Sequence, residues 1–346
     1  MTMTVERISD ERFIELAHAA GHSVPIEQAP VWDAFDRHVP GRKPWGRFAV
    51  HAGDASRPLA IIAFTEYTGR GFRYLWAKHG PLWVGEQTPA AERALRDALR
   101  HFVASIDPGI TFVRLHAKHP APDLQDLLQT VTYDETVVVD LQRSEDEIFA
   151  SFSKTARKKL RHTLADTALV CEEETGLSRE AFDELYAIYR ETASRDAFGI
   201  YDADLYFAML ESLGPHARVF VARRHDSGPP EKPRTPGRAV SWILSTVYDG
   251  VGFDYFGGGN AESLECNAAL RLKWHILATL QAEGVSSYDM MGVGSARAPQ
   301  LMGVRQFKLQ FVDETTVVDG AWDVPIRRAR YRALRLLLAA KHLLRR

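Results

Sequence analysis

The order of strand-like and helix-like segments constrains the fold of this chain most. Short apolar runs rich in β-branched and aromatic residues predict strands, and a 3.6-residue apolar period predicts helices. Predicted strands lie at 57–68, 72–84, 110–118, 135–142, 217–224, 237–249, 250–258 and 286–293. Predicted helices include 88–106, 178–196 and 267–284. The second half of the chain thus repeats the mixed strand and helix order of the first.

The length and composition favour two domains in an ordinary globular protein. The chain has 346 residues, is 45% hydrophobic and carries a formal net charge of -2. A single hydrophobic core rarely grows beyond roughly 250 to 300 residues. The start lacks an apolar signal-peptide core and no run is long enough to span a membrane, so we expect a cytoplasmic protein. Cys171 and Cys266 are too few for a disulfide framework or a zinc cluster, and we expect free thiols.

A dense basic cluster follows the strand at 135–142. Ser144 and Glu147 form a capping-box pattern that predicts the start of the helix carrying the cluster. Five of the eight residues from 154 to 161 are Lys or Arg. On a helical wheel one face holds Phe149, Phe152, Ala156, Leu160 and Leu164, and the opposite face holds Lys154, Arg157, Lys158 and Arg161. The basic stripe is either a solvated face or a surface that meets an anionic partner.

The last segment of the chain is a second basic amphipathic pattern. It has no carboxylate after Asp323 and contains eight cationic residues: Arg327, Arg328, Arg330, Arg332, Arg335, Lys341, Arg345 and Arg346. The apolar positions on its wheel are Ala329, Ala333, Leu336, Leu337, Ala340 and Leu344. Two interpretations stay open: a helix whose leucines pack on the first domain, or a helix that contacts anionic lipid or nucleic acid.

Common catalytic signatures are absent from the sequence. No P-loop, dinucleotide-binding glycine motif, nucleophile elbow or zinc-protease motif is present. His116 and His119 are more typical of hydrogen-bonded surface groups than of a metal site, so we assign no metal and no cofactor. The glycines at 257–259 before a predicted helix indicate either a tight turn or close approach of backbone to a ligand. Lys308 lies in a strand-like run among Phe and Leu, where a lysine either snorkels or acts chemically.

Several stretches in order resemble the Fem-type peptidyltransferases, which transfer amino acids from aminoacyl-tRNA to peptidoglycan precursors. The stretches are EQAPVWDAF, AKHGPLW, the segment from TVVVDLQ to RHTL, YFGGGN, SSYDMMGVG and QFKLQFVDE followed by GAWDVPI. The resemblance implies an α/β (α+β) fold of two acetyltransferase-like (GNAT) domains, each with a mixed sheet flanked by helices, without the coiled-coil insertion of some members. We place the first domain at 1–143 plus 318–346 and the second at 144–317.

The resemblance also implies roles for individual residues. Lys308, after Phe307, matches the family's Phe-Lys pair, whose lysine is thought to stabilise charge at the transferred ester. The implied substrate-binding residues are Trp32, Lys43, Phe253, Tyr255, Phe307 and Arg114, and the implied tRNA-binding residues are Lys154, Arg157, Lys158 and Arg161. Where the family has an acidic residue after the arginine at position 114, this chain has His116.

The implied function is transfer of an amino acid from tRNA to the free amine of a stem peptide, in cell-wall biogenesis and the maintenance of cell shape. The acceptor is a UDP-linked or a lipid-linked precursor. We expect a monomer, with peripheral contact between the C-terminal helix and the inner face of the membrane. Two alternatives are an N-acyltransferase that uses acyl-CoA or acyl-carrier protein, and a non-catalytic binder of cell-wall precursor.

Overall fold

The chain forms two compact units, and each is described by itself. The structure, a computed structural model, describes residues 2–53, 55–128, 132–225 and 237–343, with side chains up to residue 340. The first unit comprises Met1–Asp134 and Val318–Arg346, and the second comprises Glu135–Val317. The second unit begins earlier than the expected residue 144, because the strand at 135–140 pairs only with strands of this unit.

The first stretch of the chain supplies most of the first unit. Its elements are β1 (Met3–Ile8), α1 (Asp10–Ala19), α2 (Pro30–His38), β2 (Arg42–Ala52), β3 (Ala60–Gly69), β4 (Phe72–Trp76), β5 (Leu82–Trp83), α3 (Pro89–Ile106) and β6 (Ile110–Ala117). The helix α3 begins where Thr88 accepts a hydrogen bond from the amide of Ala91. Leu95, Leu99 and Val103 then repeat at helical spacing and are buried against the sheet.

The next stretch forms the second unit. Its elements are β7 (Glu135–Asp140), α4 (Glu145–Ser151), α5 (Lys154–Leu164), β8 (Leu169–Glu173), α6 (Arg179–Arg195), α7 (Ala203–Leu213), β9 (Ala217–Arg224), β10 (Arg238–Tyr248), β11 (Val251–Gly259), α8 (Ala261–Cys266), α9 (Ala268–Ala282), β12 (Ser287–Gly292), α10 (Met302–Lys308) and β13 (Thr316–Val317). The apolar face of α9, which includes Leu272, Ile276 and Leu280, is buried in the core of this unit.

The chain then returns to the first unit with β14 (Gly320–Pro325) and α11 (Arg328–Leu343). Among the described residues the first sheet has seven strands in the order β1-β2-β3-β4-β6-β14, with β5 paired to β3. The second sheet has the order β13-β7-β12-β11-β10-β9-β8. Each sheet is antiparallel except for one parallel pair, β4 with β6 and β11 with β12. A helical crossover joins the two strands of each parallel pair, so the predicted repeat and the mixed-sheet fold are confirmed.

Candidate active site in the second unit

The parallel strands β11 and β12 separate partway along their length. They are paired only from Val251 with Ser287 to Phe253 with Asp289, although β11 continues to Gly259. A bulge in β11 adds to the separation, because Tyr255 is an extra residue between the pairs that β10 makes with Asp254 and Phe256. The sheet therefore opens beyond Phe253, and backbone groups on the facing edges of the two strands lose their strand partners.

The end of β12 is bent at this opening. The register between β12 and β7 shifts between Asp289 and Gly292, and Met291 has a φ of 64°. A left-handed conformation is unfavourable for a residue with a side chain, and it persists where the surroundings hold it. Here the Asp289 carboxylate accepts hydrogen bonds from the Met291 amide, at 2.6 Å, and from the Thr136 hydroxyl. The bend presents the carbonyl groups of Met291 and Gly292 on the same side.

Lys308 lies at this bend. It is the last residue of the helix α10, so the strand expected from the alternation around Lys308 is wrong. The Lys308 ammonium donates to the carbonyl oxygens of Met291 at 3.1 Å and Gly292 at 3.0 Å. Phe307 packs against the core, with its ring 5.4 Å from that of Phe311. Phe307 therefore fixes this end of α10 to the core, and Lys308 beside it places an ammonium at the end of β12.

The surroundings of Lys308 lower its pKa. Burial lowers its pKa to about 8, and the nearby Lys273 ammonium acts in the same direction, against the opposing fields of Asp254 and Asp289. The group is therefore mainly an ammonium at neutral pH. Two of its three N–H groups are used by the carbonyls, and no carboxylate of the described residues forms an ion pair with it. One donor remains to face a ligand.

A buried polar network that the sequence analysis missed supports the site. Lys273 in α9 is 1% exposed and forms an ion pair with Asp254 at 2.6 Å. Its ammonium lies 3.5 Å from the Tyr288 hydroxyl, which is 2.7 Å from the Ser245 hydroxyl. Burial of Lys273 lowers its pKa, and Asp254 opposes that shift. The available signal was a lysine on the apolar face of a helix pattern, where only a partnered charge is tolerated.

The basic cluster forms a helix of its own. The capping box at Ser144 is present, but it starts α4, which ends at Ser151. A second cap, Ser153, accepts from the Ala156 amide and starts α5, so the single helix expected here is wrong. The apolar wheel face is buried at Phe152, Ala156 and Leu160, whereas Leu164 is 46% exposed.

The four expected tRNA-binding side chains have different surroundings. Lys154 and Lys158 are exposed. Arg161 is also exposed, with its guanidinium 5.1 Å from the centre of the Phe149 ring. Arg157 is partly buried and donates to the carbonyls of Ala150, at 2.7 Å, and Phe152. These bonds satisfy the end of α4, so Arg157 has a structural role that the other three cations do not share.

The start of α5 is tied to the residues that follow Lys308. The Ser153 amide donates to the Gln310 carbonyl at 2.9 Å, and the Ser151 hydroxyl donates to the Phe311 carbonyl at 3.0 Å. The Phe152 and Phe311 rings are 5.0 Å apart in an edge-to-face arrangement. The basic helix and the catalytic candidate are therefore held in a fixed relation within one unit.

The aromatic and glycine residues of β11 are placed at the opening or beyond it. Phe253 is 9% exposed at the last parallel pair, and Tyr255 is the partly buried bulge residue. The glycines at 257–259 are strand residues, not a turn. A Cβ at Gly258 would lie 2.4 Å from the Thr192 hydroxyl, and one at Gly259 2.5 Å from the Ser263 hydroxyl. A Cβ at Gly257 would lie 2.5 Å from the Trp242 carbonyl oxygen, so the protein's own neighbouring atoms require all three glycines.

The other expected substrate-binding residues belong to the first unit. Trp32 is 3% exposed, with the Lys78 ammonium 5.2 Å from its ring centre. Lys43 is exposed and pairs with Glu66 at 3.2 Å. Arg114 is fully buried and donates to Asp323 at 2.7 Å and 3.2 Å, and Tyr331 donates to the same carboxylate at 3.0 Å. The assignment of Arg114 to substrate binding is wrong, because no surface reaches its guanidinium.

The histidines at 116 and 119 both have hydrogen-bond partners in the first unit, and Nε2 of His119 lies 3.4 Å from the Gln87 carbonyl. Burial lowers the pKa of His116 to about 3, helped by its neighbour His79, so His116 is neutral. Its Nδ1 lies 2.7 Å from the Asp319 carbonyl and donates to it. Across the residues that the structure describes, no group of three or more His, Cys, Asp or Glu side chains is placed to hold a metal ion.

Comparison with known proteins identifies the fold. Residues 150–308 match the model of an acetyltransferase (GNAT) domain. The crystal structure of FemX superposes with a TM-score of 0.72 at 13% identity, covering 95% of this chain and 99% of that one. The C-terminal domain of a putative lysylphosphatidylglycerol synthetase from Agrobacterium fabrum gives 0.53 at 16% identity, covering 96% and 97% of the two chains.

A tandem GNAT protein from the clavulanic acid biosynthesis pathway also has a TM-score of 0.53, at 12% identity, covering 94% of this chain and 98% of that one. No curated protein sequence matches this chain significantly. At these identities the likeness shows the fold, and the resemblance to the Fem-type enzymes is confirmed at that level. The chain has a tandem GNAT-like fold.

Proposed function

We propose that this chain, with its FemX-like tandem GNAT fold, transfers an aminoacyl group from tRNA to the free amine of a peptidoglycan-precursor stem peptide. The observation that carries the proposal is the position of Lys308 in the second unit. Its ammonium is fixed by two carbonyls at the opening between β11 and β12, and it lies next to the start of a basic helix. Lys308 can donate to the ester carbonyl and to the oxyanion that forms from it, and the basic helix can bind the phosphates of the tRNA.

Lys308 acts as the donor to the developing oxyanion. Hydrogen bonds from Met291 and Gly292 hold Nζ in place before substrate arrives, so little reorganisation is needed during the reaction. The third N–H is directed at the ester carbonyl oxygen. A pKa of about 8 keeps the proton on Lys308 at neutral pH while making it a stronger donor than an ordinary lysine.

Apart from the Lys308 donor, the reaction mainly requires that the acceptor amine and the ester carbonyl are held in contact. The neutral amine of the acceptor attacks the ester carbonyl, the C–N bond forms, and the bond between the carbonyl carbon and the ribose oxygen breaks. The proton lost by the amine ends on the ribose hydroxyl, so the step is balanced without a further reactant. Holding amine and ester in contact supplies several kcal/mol of the barrier reduction. The Asp254–Lys273 pair keeps the charge around Lys308 balanced within a poorly solvated site.

Lys154, Lys158 and Arg161 of α5 bind phosphates of the tRNA acceptor end. Phosphate contacts by exposed cations position a nucleic acid without reading its sequence. Because Ser151 and Ser153 tie the start of α5 to the segment after Lys308, a phosphate bound on α5 is held at a fixed distance from the reacting ester. Arg157 contributes by securing the joint between α4 and α5.

A GNAT N-acyltransferase that uses acyl-CoA is the second candidate. The observation that favours it is the opening between β11 and β12 within the region that matches an acetyltransferase domain model. The cofactor pyrophosphate would need a glycine-rich loop open to solvent. The space beside the glycines at 257–259 is instead occupied by the Trp242 carbonyl and the side chains of Ile243, Thr192 and Ser263, which favours the aminoacyl-tRNA assignment.

A reconstituted transfer assay tests the proposal. Purified chain is supplied with total tRNA charged with labelled amino acids, and separately with acetyl-CoA. Each donor is paired with the UDP-linked precursor, the lipid-linked precursor or phosphatidylglycerol as acceptor. We expect label on a stem-peptide amine from tRNA only. Label from acetyl-CoA alone overturns the proposal in favour of the second candidate, and label on phosphatidylglycerol alone overturns the peptide acceptor.

A further inference from the structure

The C-terminal helix α11 has more than one apolar face. Tyr331 is 2% exposed, and Leu334 and Leu338 are partly buried, so these positions attach the helix to the first unit. The Tyr331 hydroxyl donates to the Asp323 carboxylate at 3.0 Å and to the Asp126 carbonyl at 3.2 Å. The helix is therefore fixed to the unit through a narrow stripe.

The face of α11 that points away from the unit is also apolar. Leu336 is 72% exposed and Leu337 is 67% exposed, and the exposed Ala333 and Ala340 lie beside them at helical spacing. The alternative in which these leucines pack on the first domain is therefore wrong for Leu336 and Leu337. Leu344 lies outside the described residues. Two neighbouring leucines held in water on a fixed helix call for a partner that buries them.

Cations flank this outward face on both sides. Arg328, Arg332 and Arg335 follow one another along one side of the helix, and Arg330 lies on the other. Lys341, Arg345 and Arg346 were also expected to take part, but the side chain of Lys341 and the whole of Arg345 and Arg346 lie outside the described residues. An apolar face between two cationic borders is the pattern of a helix lying in a membrane interface.

The border formed by Arg328, Arg332 and Arg335 also lines a pocket of about 360 Å³ between α11 and α3. Arg93 and Arg100 of α3 contribute to it, so five arginines line the pocket against one carboxylate, Asp123, among the described lining residues. The Asp123 carboxylate is already used, because Arg96 and Arg100 donate to it at 2.9 Å and 2.7 Å.

The arginines of α11 have little to neutralise them. Within the described part of the chain, Arg328 and Arg332 form no ion pair, and Arg335 donates to the Gln125 side chain at 2.6 Å. Below them, Nε of Arg100 is buried and has no hydrogen-bond partner among the described residues. Arg93 and Arg100 also pair with Asp97, at 3.3 Å and 2.6 Å, so the guanidinium groups without an ion pair or side-chain partner among the described lining residues are those of Arg328 and Arg332. Together with the buried Arg100 donor that lacks an acceptor, these two groups indicate an anionic ligand, and guanidinium groups are suited to phosphate oxygens.

We propose that α11 docks this protein on an anionic lipid bilayer, with Leu336 and Leu337 in the acyl boundary and a lipid phosphate in the arginine pocket beside them. The two features point to the same surface, because the leucines need an apolar phase and the arginines need phosphate next to it. Within the described residues no helix has the length and apolar character needed to cross a bilayer, so the contact is peripheral. A nucleic acid would satisfy the arginines and leave the leucines in water.

Vesicle co-sedimentation with the full chain tests the proposal. The probes are phosphatidylcholine vesicles with and without phosphatidylglycerol. One variant carries Leu336→Ser and Leu337→Ser, and its control carries Leu264→Ser and Val317→Ser, at positions that are 60% and 81% exposed elsewhere. A second variant carries Arg328→Gln and Arg332→Gln, and its control carries Arg70→Gln and Arg143→Gln at exposed positions outside the pocket. No acyl transfer is measured, so the result is independent of the proposed function.

We expect binding to vesicles that contain phosphatidylglycerol and a loss of at least about tenfold in the leucine variant, since each leucine contributes its transfer to the acyl boundary. The arginine variant should lose about fivefold per residue. Both controls should bind like the parent. Absence of binding at low salt overturns the proposal. Full retention of vesicle binding in the leucine variant also overturns it, and loss of tRNA affinity by the arginine variant in a parallel filter-binding assay would then assign the pocket to nucleic acid.

Discussion

The two parallel strand pairs of this molecule use a cation in opposite ways. In the first unit, pairing between β4 and β6 reaches Arg114, and hydrogen bonds from Ala77 to Arg114 and from His116 to Gly80 continue it. In the second unit, β11 and β12 separate after Phe253 and Asp289. A cation lies at each position: Arg114 is buried in an ion pair, whereas Lys308 is partly buried and bound only to carbonyls.

If the proposed function holds, the same fold serves structure at this position in the first unit and chemistry in the second. A carboxylate partner satisfies Arg114, so this cation stabilises the first unit and reaches no ligand. Carbonyl partners position Lys308 without neutralising it, so its charge stays available. Function in such a repeat follows from which partner each cation has, and the fold alone does not decide it.

The largest effect is expected where the ion pair is broken in the first unit. Arg114→Met leaves the Asp323 carboxylate buried without its partner, which should lower the free energy of unfolding by about 3 to 5 kcal/mol. Denaturant unfolding of the full chain measures this. A further Asp323→Leu substitution should recover part of the loss, because the uncompensated charge is then gone. An Arg114→Met protein as stable as the parent would contradict the structural role of Arg114.

Removing the cation of the second unit should affect rate and leave stability largely intact. Lys308→Met keeps the volume and removes one donor to the oxyanion, and the loss of such a donor lowers kcat by about 10²- to 10³-fold. Single-turnover transfer from charged tRNA gives the rate, and circular dichroism at rising temperature checks the fold. Transfer within a few-fold of the parent rate would remove Lys308 from the mechanism.

The basic helix should contribute to tRNA affinity. Lys154→Glu, Lys158→Glu and Arg161→Glu together should raise the KM for aminoacyl-tRNA by about tenfold or more and reduce the slope of log affinity against log salt by about 2. Lys159→Glu is the matched control, because Lys159 is exposed on the same helix outside the stripe. Arg157 is left unchanged because it caps α4. An unchanged salt slope would make the stripe a solvated face.

The smallest effect is a dependence of transfer on pH. The pKa of Lys308 is lowered to about 8, so the ammonium form falls by half at that pH and about tenfold one pH unit higher. We expect the kcat for transfer to fall accordingly above pH 8. Between pH 8 and pH 10.5 the unfolded chain keeps the Lys308 proton while the folded chain loses it. The contribution of Lys308 to the free energy of unfolding therefore rises with pH in this range, because the cost of burying the ammonium is relieved. A kcat that rises through pH 8 would instead indicate a neutral amine acting as base.

Much of the fold was accessible from the sequence because it rests on local patterns. The strands β3 to β7 and β9 to β12 and the helices α3, α6 and α9 follow directly from apolar periodicity, whereas β1, β2, β8, β13 and β14 were not predicted. The repeat of these patterns predicted two mixed sheets. The break between α4 and α5 was missed although Ser153 is a normal helix cap, because the apolar spacing continues across it from Phe152 to Ala156 and Leu160.

The site was accessible only in part, because its geometry comes from residues distant in sequence. Lys308 was identified by resemblance, but the short helix that carries it has the same alternation as a strand. The roles of Met291 and Gly292 follow from a bulge that no sequence pattern marks. Arg114 and Arg157 look like surface cations in the sequence, and only tertiary contacts to Asp323 and to the end of α4 give them structural roles.

The return of the chain to its first unit sets an order for folding during synthesis. Arg114 and its partner Asp323 are 209 positions apart, and the strand that carries Asp323 covers the edge of β6. At typical ribosomal rates the partner emerges on the order of 10 to 40 seconds after Arg114. The second unit, which is continuous in sequence, can close within that interval. During this interval the first unit exposes the open edge of β6 and the unpaired Arg114 guanidinium. We expect chaperone binding and pairing with other nascent chains to compete with the arrival of β14 at this edge.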